Sequence, residues 1–338
     1  MTLNEIRNEA KGKMGYCNSC EICDGKACTN MMPGPGAKGS GVVAIENFNA
    51  WKEIKLNMDT ISDSGDITTT TEIFGKKLSI PVFVGPISNV QKNYSKLYKE
   101  HEFADIIVGR SKDAGICAFT GDSNDTNVMD AGLNAIKNND GFGIPTIKPW
   151  DKNKVNEILL KVKEAKAFAV AMDIDGVGLK GLDYSKGLAA TKNENDLHEI
   201  VNSLDVPFIV KGIMTVKGAK KAIDAGAKGI VVSNHGGRVL DGTPATANVL
   251  KEISDFAKGK CKIFVDGGIR NGIDVFKAIA LGADATIIAR PFVQVVFGDK
   301  ENGIKTYVDS LINELKETMN MCGARKITDI DFDMVRVG

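Results

Sequence analysis

Ser233-Asn234-His235-Gly236-Gly237-Arg238 brings a base, a forked cation and two glycines together in one short run. A neutral imidazole takes a proton near pH 7. A guanidinium three residues further on can hold a carboxylate by two parallel hydrogen bonds. The glycines let backbone come close to something flat or charged. The bland alternative is a solvated loop histidine with a surface arginine beside it. His101 and His198, the other two histidines, lie in polar, helix-like segments.

Two further constellations follow. Asp266-Gly267-Gly268-Ile269-Arg270 and Ala289-Arg290-Pro291 each lead from an apolar run into a helix-like one. Glycine amides at a helix N-terminus make a phosphate site, and β/α barrels commonly hold phosphate after strands seven and eight. Lys211 ends the apolar run Pro207-Phe208-Ile209-Val210. A charge there is costly unless paired, or else it snorkels from a rim. Asp173 and Asp175 end another run and share a strand face, which suits a metal site or a structural cap.

Near the N-terminus stand Cys17, Cys20, Cys23 and Cys28, spaced Cys-x2-Cys-x2-Cys-x4-Cys. Thiolates this close can hold zinc or an iron–sulfur cluster, and spacing alone does not separate the two. The run resembles a ferredoxin's but is one residue longer at its end and lacks the following proline. Reduced thiols on a loop are the plain alternative.

These residues need elements to position them. From residue 78, short apolar runs alternate with longer amphipathic ones. The runs are 81–84, 116–119, 144–147, 169–172, 207–210, 229–232, 262–265 and 285–288. Near-continuous apolar strands suit a parallel sheet buried on both faces. Eight such units predict a closed (β/α)8 TIM barrel over 78–338, with a doubly wound open sheet as the alternative. Pro145 and Pro149 make the third strand the weakest. Residues 1–77 do not alternate and are expected to form a cap segment. It holds a short helix near Leu3–Lys13, the cysteines, and the glycine-rich stretch 31–41.

Composition narrows the function. Lys plus Arg is 43 and Asp plus Glu is 43, so net charge gives no drive toward nucleic acid. No apolar run reaches the roughly eighteen residues of a membrane span, and the start has no signal-peptide core. Seven cysteines in a chain of 338 residues fit a reducing compartment better than a disulfide scaffold. A cytoplasmic protein is expected.

The run from Ser233 to Asp241, with Pro244-Ala245-Thr246 after it, resembles the signature of the FMN-dependent α-hydroxy acid oxidase and dehydrogenase family. The resemblance covers residues 78–300 well and the N-terminal quarter poorly. It implies that FMN phosphate is held by Asp266, Gly267, Gly268, Ile269, Arg270, Ala289 and Arg290. Ala289 stands where the family usually has glycine. It implies that Lys211 and Ser233 meet the flavin, and that Pro86, Ile87 and Ser88 line its N5 side. By the same resemblance His235 is the catalytic base, Asp175 its carboxylate partner, and Arg238 the holder of a small 2-hydroxy acid.

Departures gather around the substrate. Asp173 replaces a flavin-contacting threonine, and Lys148 takes the place of a glutamine. The family's two tyrosines are missing, one of them near Met32, and Lys180 is the nearest cation to the second arginine's position. The implied reaction is oxidation to a 2-oxo acid, with the electron acceptor open. The implied assembly is a homo-oligomer, tetramer or octamer. An FMN barrel like type 2 isopentenyl diphosphate isomerase, or a flavin and metal redox sensor without turnover, are the alternatives.

Overall fold

The computed structural model describes residues 1–179 and 189–338. Eight parallel strands close into a barrel. They are β1 (Val82–Val84), β2 (Cys117–Thr120), β3 (Ile144–Ile147), β4 (Val170–Asp173), β5 (Phe208–Ile213), β6 (Gly229–Val232), β7 (Lys262–Val265) and β8 (Ala285–Ile288). Each pairs with the next, and β8 returns to β1 with Thr286 opposite Val82. The open-sheet alternative is thereby set aside. Pro145 does sit in a strand, opposite Thr120 of β2. The ladder on its other side continues through Thr146 and Ala171, so one missing N–H does not end the strand.

Alternation along the strands sorts the core into two clusters. Phe83, Phe119, Ile209, Val231, Phe264 and Ile287 point into the barrel. Val82, Val84, Ala118, Val210, Ile230 and Val265 point outward, toward the helices. Inside, Phe83, Phe119 and Phe264 meet edge to face with centroids 5.3 to 6.0 Å apart. A hairpin, Thr71–Ile73 with Lys76–Leu78, places Phe74 against Phe264 and plugs the end of the barrel opposite the strand C-termini.

The N-terminal segment wraps the other end. Helix α1 (Leu3–Lys11) carries a capping box between Thr2 and Glu5 and packs on the helix Arg290–Gly298. Helix α2 (Val42–Glu53) buries Asn47, Phe48 and Trp51 against the loops after β6 and β7. Between them the glycine-rich stretch passes over the turn that holds His235. Lys38 donates its backbone N–H to the Gly237 carbonyl at 2.8 Å, and Asp241 accepts from both the backbone and the hydroxyl of Ser40. A Cβ on Gly36 would lie 2.2 Å from the Cys28 carbonyl, so this stretch is rich in glycine because it passes so close. Lys55–Leu56 pairs antiparallel with Val335–Arg336 near the C-terminus. No described helix is long and apolar enough to cross a membrane.

Candidate active site

The strand C-termini open into a cavity of about 540 Å³. His235, Arg238, Lys211, Lys148, Asp173, Asp266, Gly267, Gly268, Arg270, Ala289 and Arg290 all line it, as do Pro86, Ile87 and Ser88. The barrel thus brings to one space residues that are far apart in sequence. Lys180 lies outside the described residues. Ile269 is buried with its side chain in the core, so only its backbone is left for a ligand.

His235 sits in a left-handed conformation, with φ of 58°, directly after β6. Such a residue is held there by its surroundings. Its N–H donates to Ser233 Oγ at 3.0 Å, and its Nδ1 lies 3.0 Å from Asp175 Oδ1. The carboxylate fixes the ring and leaves Nε2 for the cavity. Room for Asp175 comes from β5. At Gly212 the strand bulges with φ of 106°, and a Cβ there would lie 2.7 Å from the Asp175 side chain. Asp175 itself does not line the cavity and acts through the ring.

Beneath lies a buried ion network. Lys148 Nζ donates to Asp173 Oδ2 at 2.6 Å, and Lys211 Nζ lies 3.1 Å from Asp173 Oδ1 and 3.5 Å from Asp266 Oδ2. Ser233 Oγ donates to Asp266 Oδ2 at 2.8 Å. Burial alone would push the Asp173 carboxyl up, but the two lysines outweigh it and hold it well below the usual carboxylate range. Burial opposes the charge of Lys211, yet Asp173 and Asp266 raise it above the ordinary lysine value. Asp266 goes the other way, pushed up by burial despite Lys211 and Ser233. Asp173, Asp175 and His235 bring ligand-type atoms within 4.8 Å of one another, so the metal reading of the aspartate pair has a geometric basis. The lysines on Asp173 already meet that charge.

Arg238 Nη1 donates to the carbonyls of Gly34 and Gly36 at 2.7 and 2.8 Å, which fixes its plane over the cavity. Gly267 and Gly268 have φ of 91° and 83°, and a Cβ on Gly268 would lie 2.0 Å from the Asn47 carbonyl. Arg290 is half-buried, and its Nη1 is buried and lacks any partner in the protein. A buried guanidinium nitrogen beside a two-glycine turn fits a phosphate. The residues present therefore fit FMN: Arg270, Arg290 and the glycine turn for phosphate, Lys148, Asp173 and Lys211 for the polar edge of the ring.

Several site residues were not legible as such. Asn47 on α2 exchanges amide hydrogen bonds with Asn234 at 2.8 and 3.0 Å and also accepts the Thr246 N–H at 3.0 Å. Trp51 Nε1 donates to the Gly267 carbonyl at 2.7 Å. Asp122 Oδ2 accepts from the Lys148 N–H and from Trp150 Nε1, the latter at 2.5 Å. Tyr94 lines the cavity near Arg238 and Arg290, its hydroxyl pushed up to about 12 by burial. The four N-terminal cysteines are all free thiols, and no three of them come within 4.8 Å of one another.

Comparison with known proteins identifies a family. The family model for FMN-dependent dehydrogenases matches residues 34–193 and 178–337. A peroxisomal (S)-2-hydroxyacid oxidase of Arabidopsis thaliana is 30% identical over 86% of this chain and 87% of its own length. Glycolate oxidase of Spinacia oleracea is also 30% identical, over 87% of each. A mandelate oxidase variant solved with (S)-mandelic acid superposes with a TM-score of 0.78 at 25% identity, over all of this chain and 98% of the other. On these matches the chain belongs to the FMN-dependent dehydrogenase family, a flavoenzyme of 2-hydroxy acid oxidation.

Proposed function

We propose that His235 is the base that takes a proton from a small 2-hydroxy acid while the acid is oxidised to the 2-oxo acid. The observation carrying this is the 3.0 Å contact of its Nδ1 with Asp175 in a ring that faces the cavity. Asp175 holds the ring and offsets the positive charge it gains. Arg238, its plane fixed by Gly34 and Gly36, holds the substrate carboxylate with its free edge. FMN supplies a two-electron acceptor when bound. Lys211 and Lys148, both paired with Asp173, would supply positive charge beside the reduced ring. Ser233 keeps Asp266 turned toward Lys211.

The substrate is a small 2-hydroxy acid, and Lys180 is a second candidate for holding it. The plant and mandelate relatives act on acids of this class by their names. Metal at the four N-terminal cysteines, a homo-oligomer, and a cytoplasmic location belong to the same proposal. The free state of all seven cysteines supports a reducing compartment. Anaerobic titration of the FMN-loaded protein with glycolate and with the L- and D-forms of lactate and mandelate tests the reading. One series should bleach the flavin with saturation. No bleaching by any hydroxy acid, with FMN bound, would overturn it.

A further inference from the structure

The N-terminal thiols are gathered in space as well as in sequence. All six pairs among Cys17, Cys20, Cys23 and Cys28 lie within electrostatic reach of one another. Their loop is pinned to the body of the protein. Ser19 is fully buried and donates its hydroxyl to the Arg7 carbonyl at 2.9 Å. Arg270 Nε, from the phosphate turn, donates to the Cys23 carbonyl at 2.8 Å. Gly25 turns the chain at φ of 90° against α2, where a Cβ would lie 3.2 Å from Ala44. Such anchoring is what a preorganised ligand set needs.

The first three thiols keep the Cys-x2-Cys-x2-Cys spacing of a bacterial ferredoxin, which points to a cluster. The four sulfurs are near one another, and no three meet within 4.8 Å. One tetrahedral ion needs all its sulfurs roughly 3.8 Å apart, from Zn–S bonds of about 2.3 Å. A cubane binds each thiolate to a different iron at an outer corner, so its four sulfurs stand further apart than those around a single ion. Charge agrees as well. Four thiolates on a cluster carry net negative charge, and the half-buried Arg290 stands beside Cys23, Cys28 and Cys17. That arginine also lines the main cavity, so thiol patch and cavity share one guanidinium.

We propose that Cys17, Cys20, Cys23 and Cys28 ligate a four-iron, four-sulfide cluster that carries electrons out of the active site. Assembly forms four iron–thiolate bonds and releases four thiol protons. Each 2-hydroxy acid oxidised yields two electrons and two protons. The cluster passes the electrons singly, in two steps, to an external one-electron carrier protein. Their way out is at hand, because the neighbouring Ile22 is 61% exposed. The metal site stands on the thiol geometry. Only the origin of its electrons rests on the oxidase reading.

The experiment is metal analysis of anaerobically purified, full-length protein, reconstituted with ferrous iron and sulfide, with FMN counted separately. About four irons and four acid-labile sulfides per chain are expected. Dithionite should produce the electron paramagnetic resonance signal of a reduced cluster. Cys20→Ser should lose at least half of the iron and keep FMN, and Cys261→Ser should keep both. Should Cys20→Ser fail to fold, the content of the unaltered protein decides. Zinc without sulfide, two irons per chain, or metal-free protein after reconstitution would each overturn the assignment. Glycolate, lactate and mandelate, added anaerobically, test the electron route. The cluster signal should appear with FMN bound and not in flavin-depleted protein. Its absence where the flavin bleaches would overturn the route and leave the metal site standing.

Discussion

The two halves of the cavity rim are built differently. On the side of β5 to β8, the working residues lie in short runs directly after strands, and they meet one another: Lys211 with Asp266, Asp266 with Ser233, Ser233 with His235. On the side of β1 to β4 and the N-terminal segment, the rim is assembled from distant pieces. Tyr94 follows β1, Asp122 follows β2, Lys148 and Trp150 follow β3, and Gly34 comes from the glycine-rich stretch. The first half carries the phosphate turns together with His235 and Arg238, and each of its runs is written locally. The second half joins loops that are separate in sequence.

Perturbing both halves tests that contrast. The largest effect should come from His235→Gln, which keeps a hydrogen-bonding side chain and removes the base. Rapid-reaction measurement should show flavin reduction slowed by roughly a hundred to ten thousand-fold, with FMN content unchanged. Reduction at the parent rate would make His235 structural and dissolve the chemistry assigned to its side of the rim. Next comes Arg238→Lys, which keeps charge and loses the fork. It should raise KM for the acid on the order of tenfold to a hundredfold, at least as much as it lowers kcat. Loss confined to kcat would place Arg238 outside substrate binding.

Asn47→Ala joins the halves. It leaves Asn234 Oδ1 and the Thr246 N–H without a buried partner, at a cost of about 1 to 3 kcal/mol. Thermal unfolding should show a lowered midpoint, and FMN should bind more weakly because the Gly268 turn rests on the same residue. Tyr94→Phe should have the smallest effect, a several-fold rise in KM, as for one hydrogen bond of about 1 kcal/mol, with FMN affinity unmoved. A change in FMN affinity instead would make Tyr94 a cofactor contact.

That division also governs how much was legible. The eight apolar runs mark the barrel strands closely, because strands buried on both faces are apolar nearly throughout. The third survives Pro145 because its two ladders use different residues. The phosphate turns are legible because glycine and arginine stand together in one short run. The pairing of His235 with Asp175 is legible only through the family resemblance, since it spans 60 positions and depends on the bulge at Gly212. Asn47 looks like one polar residue of an amphipathic helix. Only the docking of α2 turns it inward. Tyr94 is hidden likewise, in a polar segment with no periodic pattern. For the cysteines, spacing gives the ligand type, while the anchoring of their loop by Arg7 and Arg270 is visible only in the fold.

The pairing of Lys55–Leu56 with Val335–Arg336 has a consequence for synthesis on the ribosome. The segment that covers the active site leaves the exit tunnel before any barrel strand exists. Its own partner strand leaves after all eight. Until the loops after β6 and β7 emerge, α2 has neither Asn234 nor Gly267 to dock on, and the glycine-rich stretch has no Arg238 to hold it. Contacts between such distant positions form slowly, because loop closure comes before any gain. The nascent chain must therefore carry its thiol-rich leading end unprotected through most of translation, and closing the cap is among the last events of folding.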